Sequence, residues 1–353
     1  MIIKKILSFA ASIISLFIVQ LLFSVNSNSE ENNSKYFSDD KGILSLMYHR
    51  FNENKYPSTN IKMNIFHQQI QIIKSLKYEF YDPKFLIPEF EKPKDNKKIL
   101  ITIDDGFKSF YNEAWPYLKE KKIPFILFIS TEPVGKNGYM NWEEIREINN
   151  SEFGFIGHHS HTHEYLIDMS EDQFIDDIET STKIFKDKLG YSPLIFSYPF
   201  GEYSLFMKRY ISDNFKIAFG QHSGIIDINK DKFELPRFPI NEKYGELKRF
   251  KSIINYDPLE YKRLIPEEKK LNNKTNPPKL IIEFFEKQKN IKNISCYSND
   301  GGYWKKSDLK FDKNTITVNF KDPFVPRRGR INCSLNENGQ WKWFGTQFTI
   351  RPN

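Results

Sequence analysis

The stretch Ile99-Leu100-Ile101-Thr102-Ile103-Asp104-Asp105-Gly106 decides how the rest of the chain is read. Ile99 to Ile103 is an unbroken β-prone run, the pattern of a strand buried on both faces of a parallel sheet. It ends directly on two carboxylates. Adjacent charges at a buried strand end are costly unless a cation or a proton accompanies them. The plainer alternative is a polar strand-to-helix turn with Asp as the helix cap. Gly106 lets the backbone turn sharply after the pair.

Working outward, further short apolar runs read as strands: Gly42 to Tyr48, Phe125 to Ile129, Phe153 to Gly157, Leu194 to Tyr198 and Ile217 to Phe219. Helical patterns separate them. Asn64 can cap a helix with Phe66, Ile70, Ile73 and Leu76 on one face. Phe107, Phe110, Ala114 and Leu118 mark a second, Trp142 to Ile148 a third and Leu205 to Ile211 a fifth. The fourth is delimited by a Ser170/Gln173 capping box and by Gly190 after Leu189. Strand and helix thus alternate through residues 42–255, which argues for a parallel sheet or barrel wrapped by helices, with chemistry at the C-terminal ends of its strands.

Residues 256–278, rich in Pro, Lys, Glu and Asn, read as a linker. Residues 279–353 change character: short β-like segments are separated by Asn299-Asp300-Gly301-Gly302 and by Asn336 to Gly339, so a small β-sandwich is expected. Trp304, Trp341 and Trp343 gather in this short stretch; exposed aromatics can stack on sugar rings, but Trp341 and Trp343 alternate along one strand and are expected in its core. Arg327, Arg328 and Arg330 are expected on a solvated loop, although they could meet an anionic glycan.

Lys4 and Lys5 followed by uncharged Ile6 to Phe23 read as a secretory signal in residues 1–27, either cleaved or kept as a membrane anchor, with residues 28–41 as a polar tether. A helix of the folded domain is the third reading. Both leading readings export the chain to the periplasm, the cell surface or the medium. Two cysteines exclude a disulfide-dense scaffold and a cysteine zinc cluster. In an oxidising compartment Cys296 and Cys333 can form one disulfide, the alternative being two buried thiols. The net charge of +7 is spread along the chain, and no nucleic-acid partner is expected.

Two more strand ends carry polar residues. Gly157-His158-His159-Ser160-His161-Thr162-His163 gathers four of the seven histidines. His159 and His163 are spaced so that one helical turn would put both on one face, while His158 and His161 point elsewhere. Two histidines and a carboxylate with an open position make a hydrolytic zinc site, so the acid pair and the histidine tract explain each other. Ser197-Tyr198-Pro199-Phe200-Gly201 can aim a backbone N–H into a cleft.

In these motifs the chain resembles the polysaccharide deacetylases, the NodB homology fold of carbohydrate esterase family 4. Thr102 to Gly106 looks like the family's first motif, Gly157 to Leu166 its second and Tyr198 to Gly201 part of its third. The resemblance implies a distorted (β/α) barrel over residues 42–255, with one divalent metal ion, commonly zinc, held by Asp105, His159 and His163. It implies Asp104 as general base and the Phe200 N–H as an oxyanion donor. The chain departs from the pattern twice. Ser197 stands where the third motif usually begins with Arg, and Arg237 is the candidate to support the base in its place. No histidine follows His222, so His222, or else His49, is the candidate general acid. The expected activity is removal of N-acetyl groups from an N-acetylated polysaccharide. The alternatives are a catalytically impaired glycan-binding or scaffold protein that keeps the fold, and a related metal amidase acting on a small molecule.

Overall fold

A computed structural model of the chain describes residues 41–89, 98–227 and 230–352. The signal segment, all but the last residue of the tether, and any membrane anchor lie outside them. Among the described residues no helix is long and apolar enough to cross a membrane.

Ile43–Tyr48 and Lys98–Ile103 are buried at every position and pair in parallel. Parallel pairing continues through Phe125–Ile129, Gly154–His158, Ile195–Ser197 and Ile217–Phe219. Glu79–Phe80 adds a short parallel strand beside the start of Lys98–Ile103. On the far side of Ile43–Tyr48 lies Phe238–Pro239, again parallel. Leu235 bridges to Phe219 at the opposite edge of the sheet. The segment 235–239 therefore spans from the last strand back to the first and curls the sheet into a distorted (β/α) barrel. Arg237 is at its centre.

The helix Glu171–Leu189 starts at a reciprocal Ser170/Gln173 capping box and stops where Gly190 turns left-handed. The first described helix runs from Met63 to Ser75, two residues earlier than an Asn64 cap would allow. Its cap is remote: Asn52 Oδ1 accepts the Met63 N–H. A helix over Leu247–Ile253 carried too little pattern to be expected from sequence.

Residues 256–278 are not a free linker. Asp257–Pro258 and Lys270–Leu271 pair with Gln340–Ile350, and Arg263–Ile265 pairs with Leu280–Glu283. These are very short strands at sheet edges, where Pro and Lys are tolerated, so composition concealed them. They belong to a C-terminal β-module. One of its sheets is built on the long hairpin Arg327–Glu337/Gln340–Ile350, which turns through Asn338 and Gly339, both at positive φ. The other joins Leu280–Glu283, Thr315–Asn319 and Asp308–Asp312. Leu280, Ile282, Ile316, Val318, Ile331, Cys333, Leu335, Phe344 and Phe348 form its core. Cys296 and Cys333 face each other across adjacent strands and are joined as a disulfide.

Trp341 and Trp343 are not in that core. Along Gln340–Ile350 it is Phe344 and Phe348 that point inward, so the residues of odd number point outward. Trp341 is 47% exposed, and Trp343 packs against the core of the barrel. Arg327, Arg328 and Arg330 lie on a paired strand, not on a solvated loop.

Candidate active site

Lys98–Ile103 delivers Asp104 and Asp105 to the mouth of the barrel. Asp104 is fully buried and Asp105 nearly so, the latter at φ 75°. Both terminal nitrogens of Arg237 reach the Asp104 carboxylate, Nη1 to Oδ1 at 2.6 Å and Nη2 to Oδ2 at 2.9 Å. Nη1 also donates to Thr102 Oγ1, Nη2 to Ser197 Oγ, and Nε to the Gly220 carbonyl. Every nitrogen of this fully buried cation thus has a partner, which a buried ion pair requires. The Ser197 hydroxyl helps hold the guanidinium that grips Asp104. Burial pushes the Asp104 carboxyl up, but Arg237, His159 and His49 outweigh it and hold it below the usual carboxylate range.

Asp105, His159 and His163 come together, with one donor atom from each within 4.8 Å of the others. Asp105 Oδ1 lies 3.3 Å from His159 Nε2 and 3.0 Å from His163 Nε2. Asp105 Oδ1 and His159 Nε2 are nevertheless buried without any hydrogen-bond partner. Orphaned buried polar atoms are rare and call for an explanation. The tautomer of His159 is fixed by its other nitrogen: the Ser197 carbonyl can only accept, so Nδ1 carries the proton at 2.7 Å. The lone pair of Nε2 is then aimed at the cluster, as in a metal-ligating histidine with an oriented outer partner. Two imidazoles and a carboxylate oxygen are a donor set that suits zinc. Burial pushes the Asp105 carboxyl up, and the adjacent imidazoles more than reverse this, leaving it well below its ordinary value.

The two histidines do not converge through a helical turn. Residues 159–163 are irregular, with Ser160 at φ 70° and His163 at φ 57°. The loop is held from below by the helix Glu171–Leu189. Asp177 accepts from the N–H groups of His161 and Thr162 and from Thr162 Oγ1, and Ser181 Oγ donates to the Ser160 carbonyl. Ser160 Oγ accepts the His163 N–H. Asp177 was missed from sequence; an acid on the helix face set by Phe174, Ile178 and Phe185 was the available signal. His158 is packed among Phe185, Phe196 and Phe215, and His161 pairs with Thr131.

Phe200 sits in the turn Pro199–Gly201 at φ 59°. Its ring stacks on Tyr165 at 4.2 Å and meets His163 edge-on at 4.9 Å. Its N–H has no hydrogen-bond partner among the described residues and is left free to donate. Four non-glycine residues around the site, Asp105, Ser160, His163 and Phe200, have positive φ. Such local strain persists only where the surroundings impose it and concentrates at functional sites.

The two acid candidates are placed differently. His49 Nε2 is 4.0 Å from Asp104 Oδ2, and His49 lines the same cleft as Asp105 and His163. His222 also lines that cleft, and its carbonyl accepts the Arg237 N–H; burial lowers both imidazoles below their ordinary value, that of His222 to about 4.

Residues 91–214 match the family model of polysaccharide deacetylases. The chain is 25% identical over 181 residues to the putative polysaccharide deacetylase YxkH of Bacillus subtilis, a match covering 50% of this chain and 63% of that protein. It is also 25% identical over 250 residues to the poly-beta-1,6-N-acetyl-D-glucosamine N-deacetylase of Staphylococcus aureus, covering 61% of this chain and 84% of that one. Among solved structures, the Streptococcus pyogenes deacetylase PplD in complex with acetate superposes with a TM-score of 0.55 at 21% identity, over 60% of this chain and 98% of that one. IcaB from Ammonifex degensii superposes with a TM-score of 0.54 at 24% identity, over 61% and 97%. These structures establish the shared fold. The barrel of this chain is thus similar to the polysaccharide deacetylases, in sequence over residues 91–214 and in fold.

Proposed function

We propose that this protein is an exported, metal-dependent hydrolase that removes N-acetyl groups from an N-acetylated polysaccharide. The observation that carries the reading is the pair of orphaned atoms, Asp105 Oδ1 and His159 Nε2, converging with His163 Nε2 beside a second, ionised carboxylate. Asp105, His159 and His163 would hold the divalent ion, with zinc the best match to the donors. The chemistry such an ion supplies when bound is polarisation of the amide carbonyl and acidification of water.

The chain's own residues account for the remaining roles. Asp104 accepts the proton of the attacking water, and the two-pronged grip of Arg237 keeps its carboxylate ionised and fixed in orientation. The free N–H of Phe200 donates to the oxygen that gains charge as water adds to the acetyl carbon. His49, 4.0 Å from Asp104, is placed to protonate the amine as the C–N bond breaks, releasing acetate and a free amino sugar. This role falls to His49 over His222 because of that proximity. The reading of an impaired glycan binder rested on the missing arginine and the missing late histidine. Arg237 and His49 weaken both grounds by standing beside Asp104. Export is supported by the N-terminal sequence and by the Cys296–Cys333 disulfide.

The test is acetate release from chitin oligomers, poly-N-acetylglucosamine and peptidoglycan with added zinc. Turnover by the full chain, lost in Asp104→Asn with zinc still bound, is the expected result. A zinc-loaded wild type that is silent on all three would overturn the reading.

A further inference from the structure

The cleft that ends at Asp105 and His163, about 670 Å³, is not walled by the barrel alone. One side comes from the C-terminal β-module. Along Arg327–Glu337, Gly329, Ile331, Cys333 and Leu335 are buried, so Arg328, Arg330 and Asn332 fall on the opposite face and line the cleft. Trp343 from the neighbouring strand and Trp304 from a loop complete this wall. Trp343 lies parallel to Tyr256 at 5.3 Å, and Trp304 is 48% exposed.

The wall is fixed to the barrel. Ser223 Oγ donates to Asn332 Oδ1 at 2.8 Å and accepts from Trp343 Nε1 at 3.0 Å. Gln347 Nε2 donates to the Gly201 carbonyl at 3.1 Å, next to Phe200. Arg327 pairs with Asp168 at 2.8 Å and with Glu202 at 3.2 Å.

The charges are unequal. Glu202 also takes Arg328 at 3.5 Å. Arg330 has only the Gln347 amide oxygen, at 3.2 Å. Arg249, across the cleft, has only the carbonyls of Tyr244 and Pro239. Among the described residues neither has a carboxylate within ion-pair distance, and the only acid lining the cleft is Asp105. Two half-buried guanidiniums with neutral partners leave the cleft electropositive and suited to the paired oxygens of a carboxylate. Aromatic faces beside them offer a stacking surface for a ring.

We propose that the C-terminal module supplies a substrate subsite for an anionic glycan, one in which a sugar bearing an acid group adjoins the N-acetylated residue. Arg330 and Arg249 pair with the acid group, and Trp304 and Trp343 cover the sugar face. This rests on the deacetylase reading for the reaction but not for the binding.

The test uses the full chain as zinc-loaded Asp104→Asn, titrated with two oligosaccharides of equal length: hyaluronan, which alternates N-acetylglucosamine with glucuronate, and chitin, which is neutral. With charge-assisted pairs at stake, hyaluronan is expected to bind at least about tenfold tighter at low salt. Adding Arg249→Gln and Arg330→Gln should bring the two affinities within about twofold of each other, the term lost being the paired charge. If Arg249→Gln lowers the melting temperature, Arg330→Gln alone carries the comparison. Equal affinities in the parent protein, or a preference that survives both substitutions, would overturn the proposal. Acetate release by the wild type is read separately. Release from chitin without any preference leaves the deacetylase and removes the subsite. Preference without release from any glycan keeps the subsite and removes the deacetylase.

Discussion

The guanidinium of Arg237 grips both oxygens of the Asp104 carboxylate, at 2.6 and 2.9 Å, although 133 residues separate them in the chain. Both side chains are fully buried. Removing one partner of such a pair leaves an uncompensated charge and costs about 3–5 kcal/mol. Arg237→Met is expected to lower the melting temperature and to let the Asp104 carboxyl titrate upward. The acid limb of the pH–rate profile should move to higher pH, with acetate release falling about 100-fold or more, as for loss of a general base. Arg237→Lys keeps the charge and loses the fork, so it should retain more stability than activity. An unmoved acid limb in Arg237→Met would show that the pair does not tune the base.

Zinc is expected to stabilise the folded chain. At one hundred times its dissociation constant a ligand specific to the native state adds about 2.7 kcal/mol, and calorimetric melting with and without zinc reads it. Asp105→Ala should abolish the shift, and a chelator should reverse it. Burial pulls His163 down, but Asp105 outweighs it and raises the imidazole above its ordinary 6.5. Protons therefore compete with the ion, and affinity for zinc should fall as pH drops through that region. A zinc affinity independent of pH between 5 and 8 would contradict this arrangement.

Gly345 faces the backbone of Ser223 across the boundary between the two modules. A Cβ there would collide with the Ser223 carbonyl and the Asn332 side chain. Gly345→Ala should destabilise by about 1–3 kcal/mol, the usual cost of overpacking. It should also loosen the Ser223–Trp343 contact, read by tryptophan fluorescence. Full stability with an unchanged spectrum would mean that the modules dock elsewhere.

Glu234 gives a pH signature outside the metal cluster. Burial pushes its carboxyl up, but Lys269, Lys208, His222 and the Tyr203 hydroxyl more than offset this and bring it from 4.5 to about 2. A carboxyl depressed in the folded state contributes stability that is complete above its unfolded value and is lost as pH falls toward its folded one. The loss should run from about 4.5 down to about 2 and amount to about 3 kcal/mol. Glu234→Gln should be less stable at neutral pH and flatten this limb in denaturant titrations.

The strands that build the barrel were legible because they are buried on both faces and read as continuous apolar runs. The helix Glu171–Leu189 was legible because its capping box and terminal Gly are local signals. Asp104, Asp105, His159 and His163 could be named because acids and imidazoles at strand ends have few structural uses. What escaped depends on long-range pairing. Asp257–Pro258 and Lys270–Leu271 are strands only because Gln340–Ile350 lies beside them. The facing of Trp343 follows from the register of a hairpin, and the convergence of His159 with His163 from a loop held by Asp177. Arg237 could be suspected from the empty place at Ser197, but only the closing of the sheet through residues 235–239 brings it to Asp104.

The family match ends at residue 214, and Arg237 lies beyond it. A gene fragment trimmed to the matched boundaries would keep both acids and both imidazoles yet discard the counter-ion of Asp104, along with the edge that closes the sheet. An inert product from such a truncation would report on the cut, not on the enzyme.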